Sequence, residues 1–327
     1  MSKLVTIFGG SGFVGRYVAR RMAKQGWRVR VAVRRPNEAL FVRPYGVVGQ
    51  VEPVLANLRD DASVAAAIKG ADAVVNCVGI LSERGRNRFD AVQVDGAGRV
   101  ARLAAAEGVA QLVHLSAIGA SADSLSDYAR TKAEGEAAVL EAFPNAVILR
   151  PSIIFGTEDQ FFNRFAGMTR FGPILPVVGA DTMFQPVYVD DVAAAASAGA
   201  LGDAAPGVYE LGGPDVETFR ALMQRMLQVI RRRRLIINVP FWIAGMMGWG
   251  LDLVQTLSGG LLHNGMLTRD QARQLRQDNV VAPGMRGFAD LAITPMHMGA
   301  VLDEYLWPYR PGGQYAEIKE SAGNLRV

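Results

Sequence analysis

The chain has 327 residues, half of them hydrophobic, and a net charge of +4 at neutral pH. That size supports one large domain, or one domain with a smaller lobe, and the weak basicity without any basic stripe between aromatics excludes a nucleic-acid binder. The single Cys77 excludes a disulfide framework or cysteine-rich metal site, and His114, His263 and His297 are too scattered to share a metal-ligand spacing.

The chain opens on an apolar strand, Lys3 to Phe8, that runs straight into Gly9-Gly10-Ser11-Gly12-Phe13-Val14-Gly15. Two spacings are met together, Gly9-x-x-Gly12-x-x-Gly15 and Gly10-x-Gly12-x-x-Gly15. One glycine permits a tight turn, one lets a pyrophosphate approach the backbone, and one lets the following helix pack on the strand. A helix over Gly15 to Gln25 and a second strand over Arg28 to Val33 complete the context of a dinucleotide-binding turn, so Gly9 to Gly15 are candidate cofactor residues. The second strand ends in Arg34-Arg35, where an NAD site wants an acidic residue, and Arg16 stands just past the loop. Guanidinium groups suit a 2′-phosphate, which favours NADPH; the alternative is two solvated arginines at a strand end.

Strand and helix patterns then alternate. Strands are expected at Val51 to Ala56, Ala71 to Val78, Gln111 to Ser116 and Ala146 to Arg150, and helices at Asp61 to Lys69, Ala91 to Gly108 and Ser126 to Phe143. This is the pattern of an α/β protein, a Rossmann-like doubly wound parallel sheet, whose ligands sit at the carboxyl ends of the strands. Those ends supply Asn57, Leu58, Val78, Gly79, Ser116, Pro151 and Ile153 as candidate cofactor contacts. The second half is less regular, with expected helices at Phe161 to Phe171, Val192 to Leu201 and Phe219 to Ile230 and a late strand and turn over Val208 to Pro214. The expected organisation is a dinucleotide core over residues 1–157, a smaller, mostly helical lobe over 158–310 with about 185–215 returning to the core, and an extended tail over 311–327.

Tyr128 and Lys132, four apart, share one helix face. A lysine there can stabilise a phenolate and hold a nicotinamide ribose, while the tyrosine passes a proton to a carbonyl. Ser116 is the third member of such a constellation. A plain amphipathic helix is the alternative.

The glycine loop, the Tyr-x-x-x-Lys pair and Pro151-Ser-Ile-Ile-Phe-Gly156 resemble the short-chain dehydrogenase/reductase superfamily in its extended branch. Glu141-Ala-Phe-Pro144, Pro151 to Asp159, Arg170-Phe-Gly-Pro-Ile174, Gln185-Pro-Val-Tyr-Val-Asp-Asp-Val192 and Leu267-Thr-Arg-Asp270 resemble one family closely, over nearly the whole chain. It is the NADPH-binding accessory subunit of respiratory complex I. The resemblance implies tightly held NADPH used structurally, other complex I subunits as partners, a place in the peripheral arm near the membrane, and no turnover, with Ser116, Tyr128 and Lys132 vestigial. The residues lend support of their own. After Ser116 come the apolar Ala117 and Ile118, where an active reductase needs a hydroxyl for the substrate oxygen, and Asn76-Cys-Val-Gly79 departs from the Asn-Asn-Ala-Gly of many members.

From Leu235 to Leu262 the only charge is Asp252, and Arg231 to Arg234 precede the run. Pro240 and five glycines make a poor spanning helix. The open readings are a helix packed within the smaller lobe, and a surface that docks on a partner or a membrane, with the arginines meeting anionic headgroups and Trp242 and Trp249 at the interface. The first strand begins within a few residues of Met1, so no cleavable leader is expected. The expected location is peripheral, on the cytoplasmic side of a bacterial inner membrane, or the matrix side if mitochondrial. A free NADPH-dependent reductase or epimerase acting on a small carbonyl or a sugar nucleotide is the competing function, and a sensor of the NADPH/NADP ratio a third.

Overall fold

The computed structural model describes residues 2–83, 85–243, 245–246 and 269–315. Trp249, Asp252, His263, the apolar run beyond residue 246, Leu267 and Thr268 of the last motif, and residues 316–327 of the tail lie outside the described residues.

Strands and helices alternate in the first half, with a 3-10 helix (Pro36–Tyr45) in place of an α-helix between β2 and β3: β1 (Leu4–Phe8), α1 (Phe13–Lys24), β2 (Arg28–Val33), β3 (Val51–Leu55), α2 (Asp61–Ile68), β4 (Ala73–Asn76), α3 (Asp95–Glu107), β5 (Gln111–Leu115), α4 (Asp127–Ala142) and β6 (Val147–Pro151). The rest comprises β7 (Ile154–Phe155), α5 (Phe162–Met168), β8 (Ile174–Val178), β9 (Met183–Phe184), β10 (Val187–Tyr188), α6 (Val189–Leu201), β11 (Gly207–Leu211), β12 (Glu217–Thr218), α7 (Phe219–Val229), β13 (Leu235–Val239), α8 (Arg269–Gln274) and α9 (Met298–Leu306). Seven strands form one parallel sheet in the order β3-β2-β1-β4-β5-β6-β11.

Both faces of that sheet are covered, so its strands are apolar nearly throughout. Side chains alternate between two cores. Val5 and Ile7 of β1 face α1 and α6, whereas Leu4 and Phe8 face α2, α3 and α4. Thr6, the one polar residue of β1, donates its hydroxyl to Ala67 O at 2.8 Å. The register aligns the strand ends: Phe8 lies level with Ala32 and with Asn76, and Asn76 with His114. Strand order reverses between β1 and β4, and the loops after these strands part there to leave a crevice. A third core, built on Phe162, Leu175, Phe219, Met223 and Leu302, joins α5, β8, α7 and α9 in the C-terminal lobe.

Three elements differ from expectation. Residues 90–94, across the expected start of a regular helix at Ala91, form a wider π turn that leads into α3. Helix α6 starts at Val189, three residues early, with Asp190 and Asp191 in its first turn where the helix dipole favours them. The apolar run opens not as a helix but as strand β13, parallel to β8 from Leu235 beside Ile174 to Val239 beside Val178. Among the described residues no helix is long and apolar enough to cross a membrane, and no cluster of His, Cys, Asp or Glu could hold a metal.

Candidate dinucleotide site

The turn after β1 is closed by its own backbone. Gly10 N–H donates to Ile7 O at 3.2 Å and Gly12 N–H to Gly9 O at 2.8 Å, while Gly9 takes φ 73°, in the left-handed region that glycine allows. Gly12 is the N-cap of α1 and contributes no capping side chain, and no acidic residue stands in the first turn. The first-turn amides of α1 are therefore available to an anion, with the positive end of the helix dipole behind them. Arg16 is spoken for: it bonds Ser11 O at 3.2 Å and Glu158 at 3.1 Å, pinning the loop from outside instead of facing a phosphate.

A cleft of about 290 Å³ opens beside this loop. Of the expected cofactor residues, Gly9, Ser11, Gly12, Arg34, Asn57, Leu58, Val78 and Gly79 line it. Gly10, Val14 and Gly15 are buried, and Phe13 packs edge-on against Tyr17. Arg35 does not line the cleft; its largely exposed side chain pairs with Glu38 at 3.0 Å, one helical step along. The structure adds Arg59, Cys77, Ile80, Asn87 and Val92 to the lining. Arg59 was findable, two residues past Asn57 in the same strand-end loop. The Asn57 side chain shapes that loop by accepting the Arg59 amide at 3.2 Å. Burial pushes the Cys77 thiol up to about 12, which disfavours its thiolate.

Lys132 stands next to Gly79, behind the lining of the cleft. A Cβ on Gly79 would lie 3.4 Å from its Nζ. The ammonium is buried and donates to Leu115 O at 3.1 Å, and burial lowers its pKa to about 8 against the opposing pull of Glu136. That leaves two N–H donors for ribose hydroxyls or phosphate. Ser116, at the end of β5, is buried with its Oγ lacking any hydrogen-bond partner. An orphaned hydroxyl and an under-coordinated ammonium at the strand ends fit a nicotinamide ribose, and the glycine turn fits a pyrophosphate. His114, on the same face of β5 as Ser116, is held neutral: burial takes its pKa down to about 3, and Asn76 contacts its Nδ1 at 3.2 Å.

Tyr128 faces a second cleft, about 330 Å³, lined also by Ile118, Ser126, Arg273, Arg276 and Asn279. Lys132 stands between the two clefts, with its Nζ 5.9 Å from the Tyr128 ring centre. Burial, and then the Asp270 carboxylate, push the phenol up to about 12. Asp270 reaches across from α8 to cap α4, accepting from Ser126 Oγ at 2.8 Å, Asp127 N at 2.7 Å and Tyr128 N at 3.2 Å. Further along the same segment, Asn279 Oδ1 accepts from Ser152 Oγ at 2.6 Å and Ile153 N at 3.1 Å. Pro151 closes β6, and its carbonyl takes the Ile118 amide at 3.0 Å. Pro151 and Ile153 thus stand away from the first cleft, towards the Tyr128 side. Asp270→Ala is expected to destabilise the fold by about 1–2 kcal/mol, the scale of a lost helix cap. Chemical denaturation checks this, and an unchanged midpoint would remove the cap from the account.

Comparison with known proteins gives four results. The family model of the NAD dependent epimerase/dehydratase family matches residues 5–212. The chain is 35% identical over 316 residues to the mitochondrial NADH dehydrogenase (ubiquinone) 1 alpha subcomplex subunit 9 of Arabidopsis thaliana, covering 95% of this chain and 79% of that protein. It is 35% identical over 191 residues to a ceramide reductase of Caulobacter vibrioides, covering 58% of this chain and 59% of that one. Among solved structures, an NADPH-dependent quinone oxidoreductase from Escherichia coli, complexed with NADPH, aligns with TM-score 0.70 over 92% of this chain and 98% of its own at 18% identity, a likeness of fold.

Proposed function

The chain belongs to the NAD dependent epimerase/dehydratase family, in the branch that includes the alpha subcomplex subunit 9 of NADH dehydrogenase, and on that footing we propose that it is an accessory subunit of a respiratory NADH:quinone oxidoreductase that holds NADPH as a structural cofactor. One observation carries the nucleotide part: a single cleft has bare helix-terminal amides at one wall, guanidinium groups at another and no carboxylate among its lining residues. Gly9, Ser11, Gly12 and the first turn of α1 would hold the pyrophosphate, Arg34 the 2′-phosphate, Asn57, Leu58 and Val78 the adenine, and Lys132 with Ser116 the nicotinamide ribose. NADPH carries a transferable hydride, but this chain's residues are arranged to keep the molecule rather than to use it. Beyond Ser116, Ala117 and Ile118 offer a substrate oxygen no side-chain donor. A nucleotide that binds only the folded state stabilises it by mass action, which is how it would support assembly.

The place proposed is peripheral, against neighbouring subunits and beside the bilayer on the cytoplasmic or matrix side. Apolar side chains on the C-terminal lobe support a docking role: Phe171 is 92% exposed and so, at 66%, is Trp242, which follows the arginine run closely in sequence. That run is partly committed to the lobe, since Arg232 Nε donates to Tyr309 O at 2.7 Å and Arg234 Nε to Thr169 O at 3.0 Å. The proposed lobe boundary lies after residue 157.

A reductase is the second reading. The Tyr128–Lys132 pair and the similarity to the ceramide reductase favour it. Tyr128→Phe separates the two. As a structural subunit the variant should keep its nucleotide, assemble, and support quinone reduction in membranes at close to the wild-type rate. A carbonyl-reducing activity that falls by orders of magnitude in a folded Tyr128→Phe protein would establish the enzyme instead.

A further inference from the structure

The second strand ends in two arginines, yet only Arg34 lines the cleft. Arg35 spends its charge on Glu38. The other guanidinium beside Arg34 comes from the loop after β3. Arg34 Nη1 donates to Asn87 Oδ1 at 3.3 Å, and Arg59 Nη1 to Arg86 O at 3.1 Å. The two acceptors belong to consecutive residues, so both guanidiniums are tied to one loop at the rim of the cleft. Both acceptors are neutral, and the Arg34 contact is long for a hydrogen bond of a charged group.

The carboxylates nearby are already engaged. Asp60 caps α2 by accepting Ala62 N at 3.2 Å, Asp61 is held by Arg99 and Arg102, and Glu83 accepts Phe89 N at 2.8 Å. Two like charges brought together without a counter-ion repel, and each keeps N–H donors to spare. A dianion resolves both defects. A ribose 2′-hydroxyl, by contrast, asks for an acidic acceptor, and none lines the cleft.

We propose that Arg59, paired with Arg34, is a specificity-determining residue that receives the 2′-phosphate of the bound nucleotide, with Arg35 taking no part. This rests on the cleft being a dinucleotide site. On binding, the phosphate takes the place of Asn87 and the Arg86 carbonyl as the acceptor for the two forks.

The test titrates the purified full-length chain, freed of nucleotide, with NADPH and with NADH, following nicotinamide fluorescence. Arg59→Gln is expected to weaken NADPH by about tenfold or more while moving NADH by less than about threefold, the cost of losing one charged fork to a phosphate. Arg34→Gln should do the same and Arg35→Gln should change neither. An Arg59→Gln protein whose NADPH to NADH preference equals wild type, or that loses both nucleotides alike, overturns the assignment while leaving the nucleotide site intact. Wild-type protein that binds neither nucleotide overturns the site itself. Thermal melting verifies that each variant is folded. Should Arg59→Gln fail to fold, Arg59→Lys, which keeps the charge and loses the fork, should still lower the preference, and an unchanged ratio in that variant also refutes the role.

Discussion

Gly15→Ala should cost this protein its nucleotide and part of its stability together. A Cβ at that position would lie 2.3 Å from Gly9 O and 2.7 Å from Gly10 Cα. Both are backbone atoms of the turn that presents the amides, so no side chain can swing aside. Either α1 lifts from β1, or Gly9 loses the left-handed conformation that aims the turn. The first route is opposed by the core, since Val14, Val18 and Met22 of α1 are buried against the sheet and α6. Overpacking of this kind costs about 1–3 kcal/mol, and a contact against rigid backbone belongs at the upper end. Calorimetry with and without NADPH should find a lower melting temperature and an NADPH affinity down by about a hundredfold, the loss expected when phosphate-binding amides move out of position. Gly172→Ala is the control, because a Cβ there meets nothing within 4 Å. If the two variants behave alike, the close packing of loop and helix does not matter as described.

Lys132→Met should make the nucleotide-free protein more stable and the nucleotide-binding protein worse. The wild-type ammonium is buried with one acceptor, the Leu115 carbonyl, and burial takes its pKa from near 10.5 down to about 8. The unfolded chain keeps the ordinary value and so binds more protons between those limits. Stability of the nucleotide-free protein therefore rises as pH climbs from about 8 towards 10.5, and below 8 folding carries the full cost of burying the charge. Methionine keeps the stem and removes that cost, which is on the order of 1–3 kcal/mol. Denaturation curves at pH 7 should shift to higher denaturant in the variant, and the climb above pH 8 should flatten. NADPH affinity should fall at the same time, because the nicotinamide ribose loses its ammonium donor. A variant less stable than wild type at pH 7 without nucleotide would show that the ammonium is well solvated after all.

These two sites were legible in the sequence for different reasons. Gly15 follows from spacing alone, because a strand, three glycines and a helical period fix the local geometry. Lys132 follows from placement after the fifth strand, where the parallel topology puts a helix face beside the strand ends. Contacts between distant segments were not legible. Strand β13 pairs with β8 across some 60 residues, and a short apolar run carries no period that separates strand from helix. Asp270 caps α4 from 142 residues away; its motif stood out only as a resemblance. Arg34, Arg35 and Arg59 could be told apart only by which way each side chain turns, which depends on Glu38 and on the loop around residue 86. The early start of α6 was hidden because Val187 to Val189 has the β-branched look of a longer strand.

The account stands most directly on what occupies the first cleft in the cell. The protein should be isolated in mild detergent from its native membrane, as part of whatever assembly it belongs to, then denatured in base to preserve reduced nucleotide and the released nucleotide identified by chromatography. NADPH, close to one per chain and co-migrating with NADH-oxidising activity, is the expected result. A chain that carries NADH, or no nucleotide, would contradict it.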